Sequence, residues 1–265
     1  MDGIRLIALD IDLTLTSKKD VISARNMAAI RAAQEKGVFV TIATGRGFLS
    51  SRRIWRALAI DGPTIQYGGA MIVHSPSGEP LKIHALDAGL VSDALEAAHA
   101  LGIHVQIFEG DTVVTERDCD FFRYYCARTD LPWRIEPELR RMRHEHIPKV
   151  LAYAEPELAP AYRDRIAETL AGRAAVTISQ PGFIEINGVD VSKGAALAEL
   201  AAMRGVARAD VAAIGDSTLD LSMIEWAGWG VAVANSTPEV LAAADLVVPA
   251  CEDDGVAAFI EEHVL

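Results

Sequence analysis

Apolar residues along the chain fall into short blocks of two kinds, separated by polar turns. Ile4 to Leu9 is a mostly apolar run that stops at Asp10, which predicts a strand buried on both faces. Ala24, Met27, Ala28, Ile30 and Ala33 then recur at helical spacing, and Gly37 supplies a stop. Val38 to Ala43 predicts a second strand, closed by Thr44-Gly45-Arg46. Strand, helix, strand is the unit of a parallel sheet with right-handed crossovers. The same grammar returns at the far end. A helix over Gly194 to Met203 leads to a strand, Val211 to Ile214, that ends at Gly215-Asp216. A helix over Leu219 to Ala227, a strand over Gly230 to Val233, a helix over Pro238 to Ala243 and a strand over Leu246 to Val248 follow. Both ends read as a doubly wound, mostly parallel α/β sheet.

The middle has a different rhythm. Its pattern predicts a strand at 82–86, a helix at 88–101, strands at 103–108 and 112–116, and a helical stretch at 119–127. A connection with Pro132 and Pro137 follows, then a strand at 148–154 and a helix at 157–171. A hairpin of 174–179 with 182–187 turns at Gln180-Pro181-Gly182. Hairpin-linked strands make this sheet largely antiparallel, with helices on one face. The simplest organisation is an α/β core domain of residues 1–81 and 188–265, with an α+β cap of residues 82–187 inserted into it.

Composition narrows the function. The chain has 265 residues, 51% hydrophobic and 23% charged, which excludes disorder as the dominant state. With 25 basic residues against 37 acidic ones, a net charge of −12 and a pI near 5.0, its field repels a polyphosphate backbone, so nucleic acid is not the expected partner. No apolar run approaches the roughly 20 residues that span a bilayer, and no leader pattern stands at the N-terminus. A cytoplasmic protein without a membrane partner is expected, as a monomer or small homo-oligomer. Cys119, Cys126 and Cys251 match no zinc spacing and read as reduced, mostly buried thiols.

Ligands of an open parallel sheet bind beyond the carboxyl ends of its strands. Asp10 with Asp12, Thr44, and Asp216 with Asp220 stand at such ends, and Ser192-Lys193-Gly194 opens a helix. Converging in one crevice, four carboxylates and one lysine would bring a formal charge of about −3, and each like pair at ~4 Å costs about 4 kcal/mol at an effective dielectric of 20. Such a cluster raises its own pKa values or holds a hard divalent cation, and oxygen-only ligands point to Mg²⁺. Each residue also has an ordinary reading. Asp-x-Asp is common in solvated turns, Thr44 can cap the following helix, Lys193 can lie on the surface, and Asp216 with Asp220 can be a carboxylate pair at a helix start.

Four segments in order resemble the motifs of the haloacid dehalogenase superfamily. They are Asp10-Ile11-Asp12-Leu13-Thr14-Leu15-Thr16, Ile42-Ala43-Thr44-Gly45-Arg46, Val191-Ser192-Lys193-Gly194, and Gly215-Asp216-Ser217-Thr218-Leu219-Asp220. With the insertion between the second and third motifs, and with the tail segments Val231 to Ser236 and Glu252 to Val256, the chain more narrowly resembles the Cof-type phosphatases of that superfamily. The resemblance implies a Mg²⁺-dependent phosphatase of small, sugar phosphate-like esters. Asp10 would be the nucleophile that forms an aspartyl-phosphate, and Asp12 the acid and base, its backbone carbonyl facing the metal. Asp216 would complete the metal ligands with Asp10 and Asp12, and Asp220 would be a further carboxylate in the inner or outer shell. Thr44, the Gly45 amide and Lys193 would hold phosphoryl oxygens, and Arg46 and Gly69 would line the substrate site.

Three positions depart from the family pattern. Leu13 stands where glycine is usual, Leu219 where asparagine is usual, and Gly68-Gly69-Ala70 replaces Asn-Gly-Ala. None removes the nucleophile, acid, metal ligands or lysine. Two other functions remain open at this level, a phosphomutase-like phosphotransferase and a catalytically weak member that binds phosphorylated metabolites. The basic stretch Arg140 to His146 reads as solvated surface, with an anion-facing cap edge as the alternative.

Overall fold

A computed structural model describes residues 3–18 and 20–265. From the N-terminus run β1 (Leu6–Leu9), α1 (Ala24–Glu35), β2 (Phe39–Ile42), α2 (Arg52–Ala57), β3 (Gly62–Gln66), β4 (Met71–Ser75) and β5 (Glu79–Ile83). Then come α3 (Ala88–Ala100), β6 (His104–Glu109), β7 (Thr112–Thr115), α4 (Asp120–Thr129), β8 (Trp133–Ile135), β9 (Val150–Tyr153), α5 (Ala159–Leu170), β10 (Ala175–Gln180) and β11 (Phe183–Asn187). The chain closes with α6 (Lys193–Met203), β12 (Val211–Gly215), α7 (Leu221–Trp226), β13 (Trp229–Val233), α8 (Pro238–Ala243), β14 (Leu246–Val248) and α9 (Gly255–His263). Two compact units result, Met1–Lys82 with Ser192–Leu265, and Ile83–Val191.

In the first unit a parallel sheet has the strand order β14-β13-β12-β1-β2. Its inner strand β1, Leu-Ile-Ala-Leu, is buried at every position, because helices cover both faces of a parallel sheet. Ser23 caps α1 by accepting from the Asn26 amide, and Ala29, Ile30 and Ala33 form the buried stripe of that helix. The terminal α9, which the sequence pattern did not reveal, docks through the Ala257 amide onto Asn26 Oδ1 at 2.8 Å and buries Val256, Phe259 and Ile260. Burying each such side chain is worth about 1.5–3 kcal/mol. A three-stranded sheet, β3-β4-β5, continues from the edge of β2 through the bridge Ala43–Ile65.

The second unit is built on a six-stranded sheet of order β10-β11-β9-β6-β7-β8, antiparallel except for the β7–β8 pair. Val105, Ile107, Val150, Ala152, Ile184 and Ile186 alternate onto one face and pack with Leu90, Val91 and Leu95 of α3 and Ile166 and Leu170 of α5.

Three details correct the sequence reading of this region. The strand expected at 82–86 lies earlier, at Glu79–Ile83, because Asp87 accepts from the Gly89 and Leu90 amides and commits the residues after it to α3. The proline-bearing connection contains β8, three residues between Pro132 and Pro137, too short to leave an alternation signal. Helices do not all lie on one face. Phe121 of α4 stacks on Tyr153 at 3.8 Å and meets Phe183 edge-on at 5.4 Å, both on the face opposite α3 and α5.

The stretch Arg140 to His146 is mostly exposed, as expected of a solvated surface, apart from His144. His144 is buried with Nε2 2.7 Å from the Leu139 carbonyl, and Arg140, Arg141 and Arg143 pair with Glu96 and Glu116, Glu138 and Glu145 respectively. Among the described residues no helix is long and apolar enough to cross a membrane.

Candidate active site

Strand register decides which side chains meet. Leu9 is opposite Ile42 on one side and Ile214 on the other, so β1, β2 and β12 finish in line. The residues just beyond, Asp10, Thr44 and Asp216, therefore leave the sheet at one edge, and all three are buried. Lys193 reaches the same edge as the first residue of α6, whose N-cap Ser192 accepts from the Ala195 amide at 3.1 Å.

Lys193 Nζ donates to Asp10 Oδ1 at 2.5 Å and to Asp220 Oδ1. Asp220 sits in a tight turn, Thr218–Asp220, after β12, where its Oδ2 accepts from the amides of Asp216 and Ser217 and from the Ser217 hydroxyl. Gly215 permits that fold-back, since a Cβ there would lie 2.5 Å from the Cβ of Asp220. Thr14 Oγ1 donates to Asp216 Oδ1 at 2.5 Å. The docking of α8 adds a bond from the Thr237 amide to the Asp216 carbonyl at 2.9 Å.

Carboxylate oxygens of Asp10, Asp216 and Asp220 all lie within 4.8 Å of one another, in a buried pocket of the sheet edge. Burial pushes the Asp10 carboxyl up to about 8; Lys193 works against that shift, and Asp220 and Asp216 add to it. Burial also pushes Asp216 up to about 6, opposed by the hydrogen bond from Thr14. For Lys193 burial disfavours the charge, yet Asp10 and Asp220 more than offset it and the pKa is raised. Three buried carboxylates facing one ammonium, with oxygen as the only donor atom, fit a hard divalent cation. The same donors offer no soft ligand for zinc or copper.

Asp12 stands apart from this cluster. Its side chain is 59% exposed and is held by Arg46, with Nε to Oδ2 at 2.8 Å and Nη2 to Oδ1 at 2.5 Å. Arg46 Nη1 also donates to Asp20, whose side chain is 7% exposed, at 2.6 Å. Burial works against the guanidinium charge, and the bonds to Asp12 and Asp20 outweigh it. Arg46, expected at the substrate site, is thus paired with two acidic neighbours in this structure. Thr44 Oγ1 accepts from the Arg46 amide at 3.1 Å, and Gly45 lies between them, partly exposed. Gly69 lines the far side of Lys193 through its backbone. At φ +107° a Cβ would fall 2.2 Å from the Ser192 carbonyl, so this position supplies close approach rather than a polar contact.

Leu13 has φ 61°, a left-handed conformation that glycine adopts without cost and that explains why glycine suits this position. Its amide donates to the Thr16 carbonyl and its carbonyl accepts from Asn235 Nδ2, both at 2.9 Å. Thr14, Asp20 and Asn235 carry contacts that the sequence did not assign. Thr14 lies inside the first motif and Asn235 in the tail segment, so both were visible without a role. Asp20 is an isolated acid with no pattern around it.

A model of the haloacid dehalogenase-like hydrolases matches residues 7–260. The 5-amino-6-(5-phospho-D-ribitylamino)uracil phosphatase YcsE of Bacillus subtilis (strain 168) is 30% identical over 264 residues, covering 99% of this chain and 96% of that protein. The HMP-PP phosphatase of Cronobacter sakazakii (strain ATCC BAA-894) is 26% identical, over 90% of this chain and 87% of its own. Among solved structures, a haloacid dehalogenase-like hydrolase from Bacteroides thetaiotaomicron superposes with a TM-score of 0.88 at 29% identity, covering 98% of this chain and 99% of that one.

Proposed function

Because the chain belongs to the haloacid dehalogenase-like hydrolases, we propose that it is a phosphomonoesterase that cleaves small phosphorylated metabolites through an aspartyl-phosphate on Asp10. The observation that carries this reading is the buried Asp10 held by Lys193 beside Asp216 and Asp220. A carboxylate at the end of an inner strand, gripped by its lysine, is held in one place where an attack on phosphorus can begin. That named relatives act on phosphorylated small molecules supports the substrate class.

The chemistry follows from the residues present. Asp10 attacks phosphorus in line with the departing alkoxide, forming an acyl phosphate as the ester oxygen leaves. Asp12 gives that oxygen a proton, then takes one from the water that attacks the acyl phosphate and releases inorganic phosphate and free Asp10. To do so the Asp12 carboxylate exchanges its contact with Arg46 for one with the substrate. Lys193 neutralises charge on Asp10 and on the transferred group, and the Thr44 hydroxyl and Gly45 amide donate to phosphoryl oxygens. Mg²⁺ is the cation we assign to Asp10, Asp216, Asp220 and the Asp12 carbonyl; when bound it offsets repulsion between a carboxylate nucleophile and a dianionic phosphate. The inserted unit, Ile83–Val191, selects the substrate.

A panel of phosphorylated sugars and nucleotides, assayed for phosphate release with Mg²⁺ and with excess chelator, tests the activity. Rapid acid quench with a radiolabelled substrate tests the intermediate. Label retained on wild-type protein and absent from Asp10→Asn supports the mechanism; turnover by Asp10→Asn at the wild-type rate refutes it.

A further inference from the structure

The inserted unit holds a nucleophile outside the acidic cluster. Cys119 is the N-cap of the ten-residue helix α4, and the Phe122 amide donates to its sulfur at 3.5 Å. Cys119 Sγ lies 3.3 Å from His104 Nδ1, and His104 Nε2 lies 3.0 Å from Gln106 Oε1. An amide oxygen only accepts, so Gln106 fixes the ring proton on Nε2 and leaves Nδ1 as the acceptor that faces the thiol.

Strand alternation creates this arrangement. Val105 and Ile107 of β6 enter the core beneath α3 and α5, which sends His104 and Gln106 to the other face, under the first turn of α4. There the His104 ring meets Phe121 at 5.2 Å and Phe122 at 5.9 Å. Burial lowers the His104 pKa, opposed by the bond to Gln106 and aided by the Arg117 charge, and so keeps the imidazole neutral. Gln106 is fully buried, and its Nε2 has no hydrogen-bond partner among the described residues, leaving a free donor beside the cysteine–histidine pair. The other two thiols differ. Cys126 and Cys251 are buried, and burial pushes both up to about 11, whereas Cys119 is partly exposed.

We propose that Cys119, with His104 as its base and Gln106 orienting the ring, is a site of reversible thiolation by low-molecular-weight disulfides. The proton of Cys119 Sγ passes to His104 Nδ1 as the sulfur attacks one atom of the disulfide. The sulfur–sulfur bond of the reagent breaks, and its departing thiolate takes the proton from His104. Thiol and disulfide are thereby exchanged for mixed disulfide and thiol, with no further oxidant, and a second free thiol reverses the step. The Phe122 amide already points at the sulfur that attacks.

The test incubates the folded protein with oxidised glutathione at pH 7 and follows adducts by intact mass and peptide mapping. One adduct is expected, on Cys119, forming at least about tenfold faster than on the same chain unfolded in urea. Cys119→Ser abolishes that adduct, and His104→Gln slows it about tenfold or more. Modification of Cys126 or Cys251 first, or a His104→Gln variant that is folded by circular dichroism and reacts at the wild-type rate, overturns the proposal. Should His104→Gln unfold, the wild-type comparison decides alone, and equal rates for folded and unfolded chain overturn it.

Discussion

Lys193 Nζ lies 2.5 Å from Asp10 Oδ1 although 183 positions separate the two residues, and both side chains are less than a tenth exposed. The lysine joins the first motif to the last through Asp220, so it holds the site together as well as balancing its charge. Replacing it with methionine, similar in length and neutral, leaves three carboxylates facing one another. Lys193→Met is expected to lower kcat by about 100-fold or more. It should also destabilise the fold by about 3 kcal/mol, the cost of stranding a buried charge. Steady-state kinetics and urea unfolding measure the two effects separately.

The raised carboxylates give stability a specific pH dependence. An Asp whose folded pKa lies above its unfolded value of 3.8 binds its proton more tightly when folded. Stability is then fully present below the unfolded pKa and is lost as pH rises through the folded one. For Asp10 the window runs up to about 8, and for Asp216 up to about 6. In chelator, stability is expected to fall between pH 5 and pH 8 by on the order of 1 kcal/mol per pH unit, and the melting temperature with it. Mg²⁺ competes with protons for the same oxygens, so its stabilising shift should be larger at pH 8 than at pH 5. Asp10→Asn should flatten the chelator curve. A melting temperature that is independent of pH in chelator would contradict this account.

The core was legible because its strands are buried on both faces and end in polar residues. Leu6 to Leu9 and Val211 to Ile214 announce themselves as apolar runs, and the register that aligns Leu9 with Ile42 and Ile214 then brings Asp10, Thr44 and Asp216 together. What the pattern hid was short or local. β8 is three residues long, and α9 follows a left-handed Asp254 that looks like an ordinary acidic turn. The pairing of Asp12 with Arg46 and Asp20 was hidden for another reason: ion pairs between loops follow no periodicity, so the acid at position 20 carried no signal.

Arg46 offers a test of that loop. Its fork holds Asp12 at the surface and Asp20 in a site where the carboxylate is 7% exposed. Arg46→Ala should cost about 1–2 kcal/mol, nearly all of it from Asp20, because exposed pairs contribute little. The prediction is checked by a double-mutant cycle. Asp20→Asn in the Arg46→Ala background should cost much less than Asp20→Asn in wild type, whereas Asp12→Asn should show weak coupling.

Adjacent glycines separate conformational strain from steric exclusion. Gly68 has φ +67° with open space where a Cβ would stand, so Gly68→Ala meets only the left-handed backbone penalty, about 1–2 kcal/mol. Gly69 has φ +107° and would drive a Cβ to 2.2 Å from the Ser192 carbonyl, backbone that cannot swing aside. Gly69→Ala should therefore cost more than about 3 kcal/mol, the strain of Gly68→Ala plus displacement of the start of α6. Because Ser192 immediately precedes Lys193, the displacement reaches the lysine that holds Asp10. Gly69→Ala should lower kcat at temperatures where the protein is still fully folded, and Gly68→Ala should leave kcat within about twofold of wild type. Equal effects of the two substitutions on kcat would mean that the approach of Gly69 to Ser192 does not position the lysine.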